Sequence, residues 1–175
     1  YPPLITPYTS NGAVNHEALR EIVEWYIQKG VNGFYVNGST GECHILTLDE
    51  RKAVLETVVD QVKGRVNVIA HIGCVSTDQV IELGYHAKET GADAISAIPP
   101  FYYKFSADEI VAHYHAVVDA VQMPMIAYNM PAMSGVELTP ALLKRLAANR
   151  WIAGVKHASM NLFQLERMKK VRDDL

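Results

Sequence analysis

Hydrophobic residues follow two alternating patterns along the chain. In some segments they lie three or four positions apart, which is the spacing of an amphipathic helix. These stripes include Leu19, Ile22, Val23 and Tyr26; Val54, Leu55, Val58 and Val62; and Ile110, Tyr114, Val117 and Val118. Between the stripes lie short, nearly continuous apolar runs at residues 33–36, 66–70, 92–97, 125–128 and 152–156. Runs of this length predict buried strands.

Polar residues mark the points where the predicted helices begin. Capping boxes, in which Ser or Thr is followed three residues later by Glu or Gln, start at Thr47, Ser76 and Ser106. Further N-caps are predicted at Asn15, Thr139 and Asn161. Two helices are followed by Gly30 and Gly91, which suit the left-handed residue that commonly ends a helix. The helix starts recur about every 30 residues, so the chain repeats one strand–helix unit.

Repeated strand–helix units predict an α/β fold with a parallel sheet and helices outside it. The chain has no GxGxxG and no GxxxxGK motif, which disfavours a doubly wound nucleotide-binding sheet. We therefore expect a (β/α)8 TIM barrel, which needs about 250 residues when complete. The 175 residues supply about the first six β-α units, as one partial catalytic domain spanning 1–175. We expect the natural protein to continue further and the isolated chain to be unstable.

Composition and charge exclude several classes of function. The net charge of -3 offers no basic surface for nucleic acid and no polybasic patch for a membrane. No apolar run reaches the length of about 18 residues that a membrane helix requires. The two cysteines, Cys43 and Cys74, fit a reducing cytoplasm better than a disulfide scaffold. Neither the cysteines nor the histidines show a metal-ligand spacing, and His113 and His115 should point to different sides of one helix, so no metal is predicted.

Candidate catalytic residues follow the predicted strands. In a barrel, the active site is built at the carboxyl ends of the strands and from the loops after them. Lys156 ends one apolar run, and an ammonium there loses hydration, which favours the neutral amine. A neutral lysine can attack a ketone and form a Schiff base. The alternative is a lysine that ends a strand and extends its amine to water.

Each of the other candidates also has a purely structural interpretation. The loop from Gly38 to Glu42 is either a hydroxyl-rich carboxylate site or an ordinary turn. Tyr128, which ends another apolar run, is either a proton carrier or a core aromatic. Tyr102 is either a site residue or a loop aromatic, and His71 is more typical of a hydrogen-bonded core histidine. Because independent structural residues should not all fall at strand ends, their coincidence favours an active site.

Four motifs occur in order at these strand ends. They are Gly38-Ser39-Thr40-Gly41-Glu42, Pro100-Phe101-Tyr102, Tyr128-Asn129-Met130-Pro131 and Lys156. With these motifs the chain resembles the N-acetylneuraminate lyase and dihydrodipicolinate synthase family of pyruvate-dependent class I aldolases. The resemblance covers the whole chain and is closest to the N-acetylneuraminate lyase branch. It implies a barrel enzyme that acts on a small keto acid in the cytoplasm, as a homotetramer built as a dimer of dimers.

The resemblance also implies residue roles. Lys156 would form the imine with pyruvate or the keto acid, and no other cofactor would be needed. Tyr128 would carry the proton at the reacting carbon or hydroxyl. Ser39 would relay protons, and Tyr102 of a neighbouring subunit would complete the relay. The substrate-binding positions implied by the resemblance are Gly38, Ser39, Thr40 and Ala158.

Three positions bear on the substrate. Met133 stands where dihydrodipicolinate synthases usually have an arginine that binds a second carboxylate, so the main expectation is cleavage of N-acetylneuraminate to pyruvate and N-acetylmannosamine. Ala158 departs from the threonine usual in the lyases, and Asn37 departs from their glycine. The alternatives are dihydrodipicolinate synthesis or another keto-sugar-acid aldolase, and, less favoured, a non-catalytic member that binds a small acid.

Overall fold

The computed structural model describes residues 1–172, in which five strands alternate with helices. The strands are β1 Gly33–Val36, β2 Asn67–His71, β3 Ala94–Ala97, β4 Met125–Asn129 and β5 Ile152–His157. The helices are α1 His16–Gln28, α2 Leu48–Val62, α3 Thr77–Thr90, α4 Ala107–Val121, α5 Pro131–Ser134, α6 Pro140–Leu146 and α7 Leu162–Met168. A 3₁₀ turn, Ser39–Gly41, follows β1. The five apolar runs identified in the sequence therefore all form strands, with ends shifted by one or two residues.

Five of the six predicted caps account for helix starts. In the capping box of α2, the Thr47 hydroxyl accepts a hydrogen bond from the Glu50 N–H, and the Glu50 carboxylate accepts one from the Thr47 N–H. Ser106 and Glu109 make the same reciprocal pair at α4. The side chains of Asn15, Thr139 and Asn161 accept hydrogen bonds from first-turn N–H groups of α1, α6 and α7. These contacts satisfy donors that a helix start otherwise leaves unpaired.

The chain divides into two compact units. The first contains Tyr1–His71 and Tyr85–Ala94, and the second contains Ile72–Gly84 and the described part of Ile95–Leu175. In the first unit, β1 and β2 are parallel, with Phe34 opposite Val68. The helices α1 and α2 pack against each other, and the buried residues of this unit include Leu19, Val23, Phe34, Val54 and Val58.

The start of the chain differs from the prediction. Six β-α units require one more strand than the five apolar runs supply, but at the start of the chain the structure has only an isolated parallel bridge between Pro3 and Tyr35. The Leu4 N–H donates to the Tyr35 carbonyl at 3.0 Å, and the Tyr35 N–H donates to the Pro2 carbonyl at 3.1 Å. The Pro2 carbonyl and the Leu4 N–H are the groups that face β1, and Pro2 has no N–H with which to extend the ladder further, so the pairing stays short.

The second unit contains the parallel strands β3, β4 and β5. The Ser96 hydroxyl on β3 donates to the Ile126 carbonyl on β4 at 2.7 Å. Helix α4 is tied to the sheet by the fully buried Tyr114, whose hydroxyl donates to the Ala97 carbonyl at 2.8 Å. Between β4 and β5 the register shifts at Met125 and Ile126, after which Tyr128 lies opposite Lys156. This register places the phenol beside the amine.

A buried histidine joins two helices of the second unit. His113 on α4 is 6% exposed, and its Nδ1 lies 2.8 Å from the hydroxyl of Thr77, the first residue of α3. Within residues 1–172, its Nε2 is buried and has no hydrogen-bond partner. Burial lowers the pKa of His113 from 6.5 to about 4, because the charged imidazolium would lose its hydration.

Acid should therefore weaken the fold through His113. Between pH 6.5 and about 4 the unfolded chain binds a proton that the folded chain does not, so the free energy of unfolding falls as the pH falls. We expect His113 to contribute a loss of up to about 3 kcal/mol over this window. The free energy of unfolding can be measured with urea at pH 7.5 and at pH 4.5. It should fall less between these two pH values in His113→Asn than in the unmodified protein, because asparagine can still bond Thr77 but does not titrate. Equal losses in both proteins would contradict this account.

Candidate active site

Lys156 and Tyr128 form the central pair of the second unit. They are opposite residues on the neighbouring parallel strands β5 and β4, so their side chains leave the sheet on the same side. The Lys156 Nζ lies 3.4 Å from the centroid of the Tyr128 ring, which is a cation–π contact. Tyr128 is 3% exposed, whereas Lys156 is half-buried. The pair thus holds an amine against a phenol near the carboxyl ends of two strands.

Asn129 and His157 hold this pair of strand ends together. Each strand continues one residue beyond the run expected from sequence, to Asn129 on β4 and His157 on β5. The Asn129 Nδ2 lies 2.9 Å from the His157 Nδ1, and the fully buried Asn129 also accepts a hydrogen bond from the Leu138 N–H at its Oδ1. Its carbonyl accepts a hydrogen bond from the N–H of Ala158, a predicted substrate-binding position that is exposed. These contacts fix the backbone on both sides of the pair.

The hydroxyl of Tyr128 has a partner that the sequence did not reveal. It donates a hydrogen bond to the Met130 Sδ, at an oxygen–sulfur distance of 3.0 Å. Met130 is half-buried and immediately precedes Pro131, which begins the short helix α5. Met133, the residue singled out for substrate choice, lies on α5 and is 71% exposed.

The predicted carboxylate-binding residues lie together in the first unit. Gly38 precedes the 3₁₀ turn Ser39–Gly41, in which the Gly41 N–H donates to the Gly38 carbonyl at 3.0 Å. Ser39 and Thr40 are exposed, so this turn carries two adjacent hydroxyl side chains. A Cβ at Gly38 would lie 2.6 Å from the Tyr35 ring, so only glycine fits beside that aromatic.

Asn37 explains one departure from the lyase pattern. Its backbone has φ 57°, in the left-handed region that glycine and asparagine adopt more readily than other residues. Its side-chain amide donates to the Arg51 carbonyl at 2.8 Å. The asparagine therefore occupies a conformation that also suits the usual glycine.

His71 is a core histidine, as its structural interpretation held. It is 1% exposed, and its Nδ1 lies 2.9 Å from the Asn37 carbonyl and 3.7 Å from the Cys43 Sγ. Arg51 donates from a guanidinium nitrogen to the His71 carbonyl at 2.9 Å. Desolvation, and secondarily the Arg51 charge, lower the pKa of the neighbouring His44. The contacts of His71 with Asn37 and Cys43 lie on either side of the turn Ser39–Gly41 and hold its flanking residues in the first unit.

Tyr102 lies in the loop between β3 and α4 and is 84% exposed. Its backbone has φ 77°, an unusual conformation for an aromatic residue, and its ring packs edge-to-face on Tyr103 at 4.9 Å. Strained backbone is often retained at functional sites. The structure thus brings Tyr128 and Lys156 together in one unit, gathers Gly38, Ser39 and Thr40 in the other, and leaves Tyr102 on an exposed loop.

Among residues 1–172, no group of three or more His, Cys, Asp or Glu side chains could hold a metal ion. No helix in that range is both long and apolar enough to span a membrane.

The parallel strands that alternate with helices define an α/β protein of the barrel class, in which active sites usually lie at the carboxyl ends of the strands. The sequence matches the dihydrodipicolinate synthetase family over residues 1–175. The chain belongs to this family, and the (β/α)8 class expected from the sequence is confirmed.

Individual relatives are similar throughout the chain. An N-acetylneuraminate lyase from Enterobacter sp. (strain 638) is 42% identical over 173 residues, covering 98% of this chain and 58% of the relative. CdNal from Clostridium difficile, solved in complex with mannosamine, has a TM-score of 0.97 at 36% identity, covering 99% of this chain and 60% of that one. Dihydrodipicolinate synthase from Aquifex aeolicus has a TM-score of 0.93 at 33% identity, and the match covers 96% of this chain and 57% of that one. The chain therefore spans a little under two thirds of the relatives' length.

Proposed function

We propose that the enzyme carrying this chain is a Schiff-base aldolase that cleaves N-acetylneuraminate reversibly to pyruvate and N-acetylmannosamine. The observation that carries the proposal is the contact between the Lys156 amine and the Tyr128 ring near the ends of two adjacent strands. The 42% identity to an N-acetylneuraminate lyase supports this substrate.

In the proposed mechanism Lys156 supplies the nucleophile. Its amine attacks the keto carbon, a carbon–nitrogen bond forms, and the keto oxygen leaves as water. The resulting protonated imine accepts electrons from the neighbouring carbon–carbon bond. No other cofactor is required, because the imine itself is the electron sink.

Tyr128 carries the proton in the next step. Its phenolic oxygen takes the proton of the substrate hydroxyl and passes its own proton to the Ser39 relay as the carbon–carbon bond breaks, so that the aldehyde leaves and an enamine remains. The enamine is then protonated at carbon, and water releases pyruvate from Lys156. The ring contact with Nζ supports this role, since it keeps the phenol next to the imine nitrogen.

The remaining roles rest on the motifs and on exposure. We assign Ser39 and Thr40 to the substrate carboxylate, because their adjacent hydroxyls are exposed on a turn, with Gly38 at its start. Ser39 also relays protons in this proposal. Tyr102 serves the site of a neighbouring subunit in a homotetramer, which its 84% exposure supports. The cytoplasm is the proposed location, since the composition suits a reducing compartment.

Dihydrodipicolinate synthesis is the second candidate. The similarity to the Aquifex aeolicus synthase favours it, as does Ala158 in place of the lyase threonine. Met133 argues against it, because a thioether cannot pair with a second carboxylate as an arginine at this position would.

Substrate preference tests these two candidates. We expect kcat/KM for N-acetylneuraminate cleavage to exceed that for condensation of pyruvate with aspartate semialdehyde by at least about tenfold, given the unpaired carboxylate. Met133→Arg should narrow this ratio, whereas Met133→Leu, which also lacks a cation, should preserve it. Parallel kinetic assays would measure both ratios. A higher value for the semialdehyde in the unmodified enzyme would reverse the assignment.

A further inference from the structure

The Tyr128 hydroxyl is held by a sulfur atom. Its oxygen lies 3.0 Å from the Met130 Sδ, and the hydroxyl is the donor. We propose that Met130 is a positioning residue that aims the Tyr128 hydroxyl for proton transfer. This inference rests on the proposed aldolase function, and it assigns a task to a residue outside the catalytic set.

The backbone conformation of Met130 is restrained on both sides. Met130 precedes a proline, which restricts its conformation, and it adopts φ −137° and ψ 68°. Its carbonyl accepts hydrogen bonds from the Met133 N–H at 3.1 Å and the Ser134 N–H at 3.0 Å, so helix α5 anchors the residue. The backbone of Met130 is therefore held in one conformation, with the side chain beside the Tyr128 phenol.

Two contacts then restrain different parts of Tyr128. Lys156 lies over the face of the ring, and Met130 accepts from the hydroxyl at its tip. Without an acceptor the hydroxyl hydrogen rotates to suit its surroundings. The hydrogen bond to the Met130 sulfur favours one direction for that hydrogen before substrate binds.

The chemistry of the acceptor also matters. A thioether is a weak hydrogen-bond acceptor, whereas an amide carbonyl is a strong one. In the condensation direction, where Tyr128 returns a proton to the aldehyde oxygen, the hydroxyl can therefore leave the Met130 sulfur more readily than it could leave an amide. The sulfur aims the hydroxyl without competing strongly for its proton.

The experiment compares three variants of the aldolase that carries this chain. Met130→Leu keeps a similar volume but removes the acceptor, Met130→Gln supplies an amide oxygen at a similar reach, and Met123→Leu removes a different buried methionine as the control. For Met130→Leu we expect kcat to fall about fivefold, the size of one lost neutral hydrogen bond. Imine formation with pyruvate should not change.

A second readout separates positioning from packing. Proton transfer should limit turnover more strongly in Met130→Leu, so the solvent deuterium isotope effect on kcat should rise. Met130→Gln should recover part of the lost kcat, and Met123→Leu should match the unmodified enzyme in both quantities.

The outcomes separate a failure of the Met130 positioning role from a failure of the proposed aldolase function. If the unmodified enzyme turns over and Met130→Leu has the same kcat, the positioning role is overturned and the aldolase function stands. The same conclusion follows if the kcat of Met130→Gln is no higher than that of Met130→Leu. An unchanged isotope effect with a lowered kcat would assign Met130 to packing and also overturn the role. If the unmodified enzyme neither turns over nor forms an imine, the aldolase function itself is wrong.

Discussion

Replacing Lys156 with arginine should abolish imine formation and lower turnover by more than about 10⁴-fold. A guanidinium stays protonated at any usable pH and does not form imines, while it retains the positive charge and much of the length of lysine. Turnover of N-acetylneuraminate and trapping of pyruvate with borohydride would measure the two losses.

Lys104→Arg is the matched control, because Lys104 is an exposed lysine in the loop between β3 and α4. It should leave both turnover and trapping unchanged. Circular dichroism should show that Lys156→Arg is folded. Retained trapping in a folded Lys156→Arg enzyme would move the nucleophile to another residue.

Replacing Tyr128 with phenylalanine should lower kcat by about 10²–10⁴-fold, the usual contribution of a positioned acid–base group. The substitution keeps the ring, so the contact with the Lys156 Nζ at 3.4 Å is retained. Imine formation with pyruvate should therefore stay within a few-fold of the unmodified rate. Stopped-flow trapping and steady-state kinetics would separate the two steps.

The same variant tests whether Tyr128 is only a core residue. If the phenol only packs, Tyr128→Phe will turn over at the original rate, because the buried ring is conserved. If imine formation falls as much as kcat, the hydroxyl acts before the carbon–carbon bond breaks, and the proton-transfer role assigned here is wrong.

Local sequence signals predicted most of the secondary structure. The capping boxes at Thr47 and Ser106 placed two helix starts correctly because their contacts involve only residues three apart. Gly30 and Gly91, with φ 81° and 94°, end helices for the reason anticipated. The sixth strand that six β-α units require does not form among residues 1–5, where Pro2 lacks the N–H that would extend the bridge to β1.

Contacts that depend on register could not be predicted from the sequence. The sequence placed Tyr128 and Lys156 at strand ends, but their pairing depends on the register shift at Met125 and Ile126. The hydrogen bond to Met130 depends on the backbone angles before Pro131. Asn129 belonged to a recognised motif, yet its bracing contact with β5 needs the folded sheet.

Mapping the covalent adduct tests the central claim most directly. The enzyme that carries this chain would be treated with pyruvate and borohydride, digested with a protease and analysed by mass spectrometry. The account predicts one pyruvyl-modified lysine, on the peptide that contains Lys156. An adduct on a different lysine, or no adduct in an enzyme that turns over N-acetylneuraminate, would contradict it.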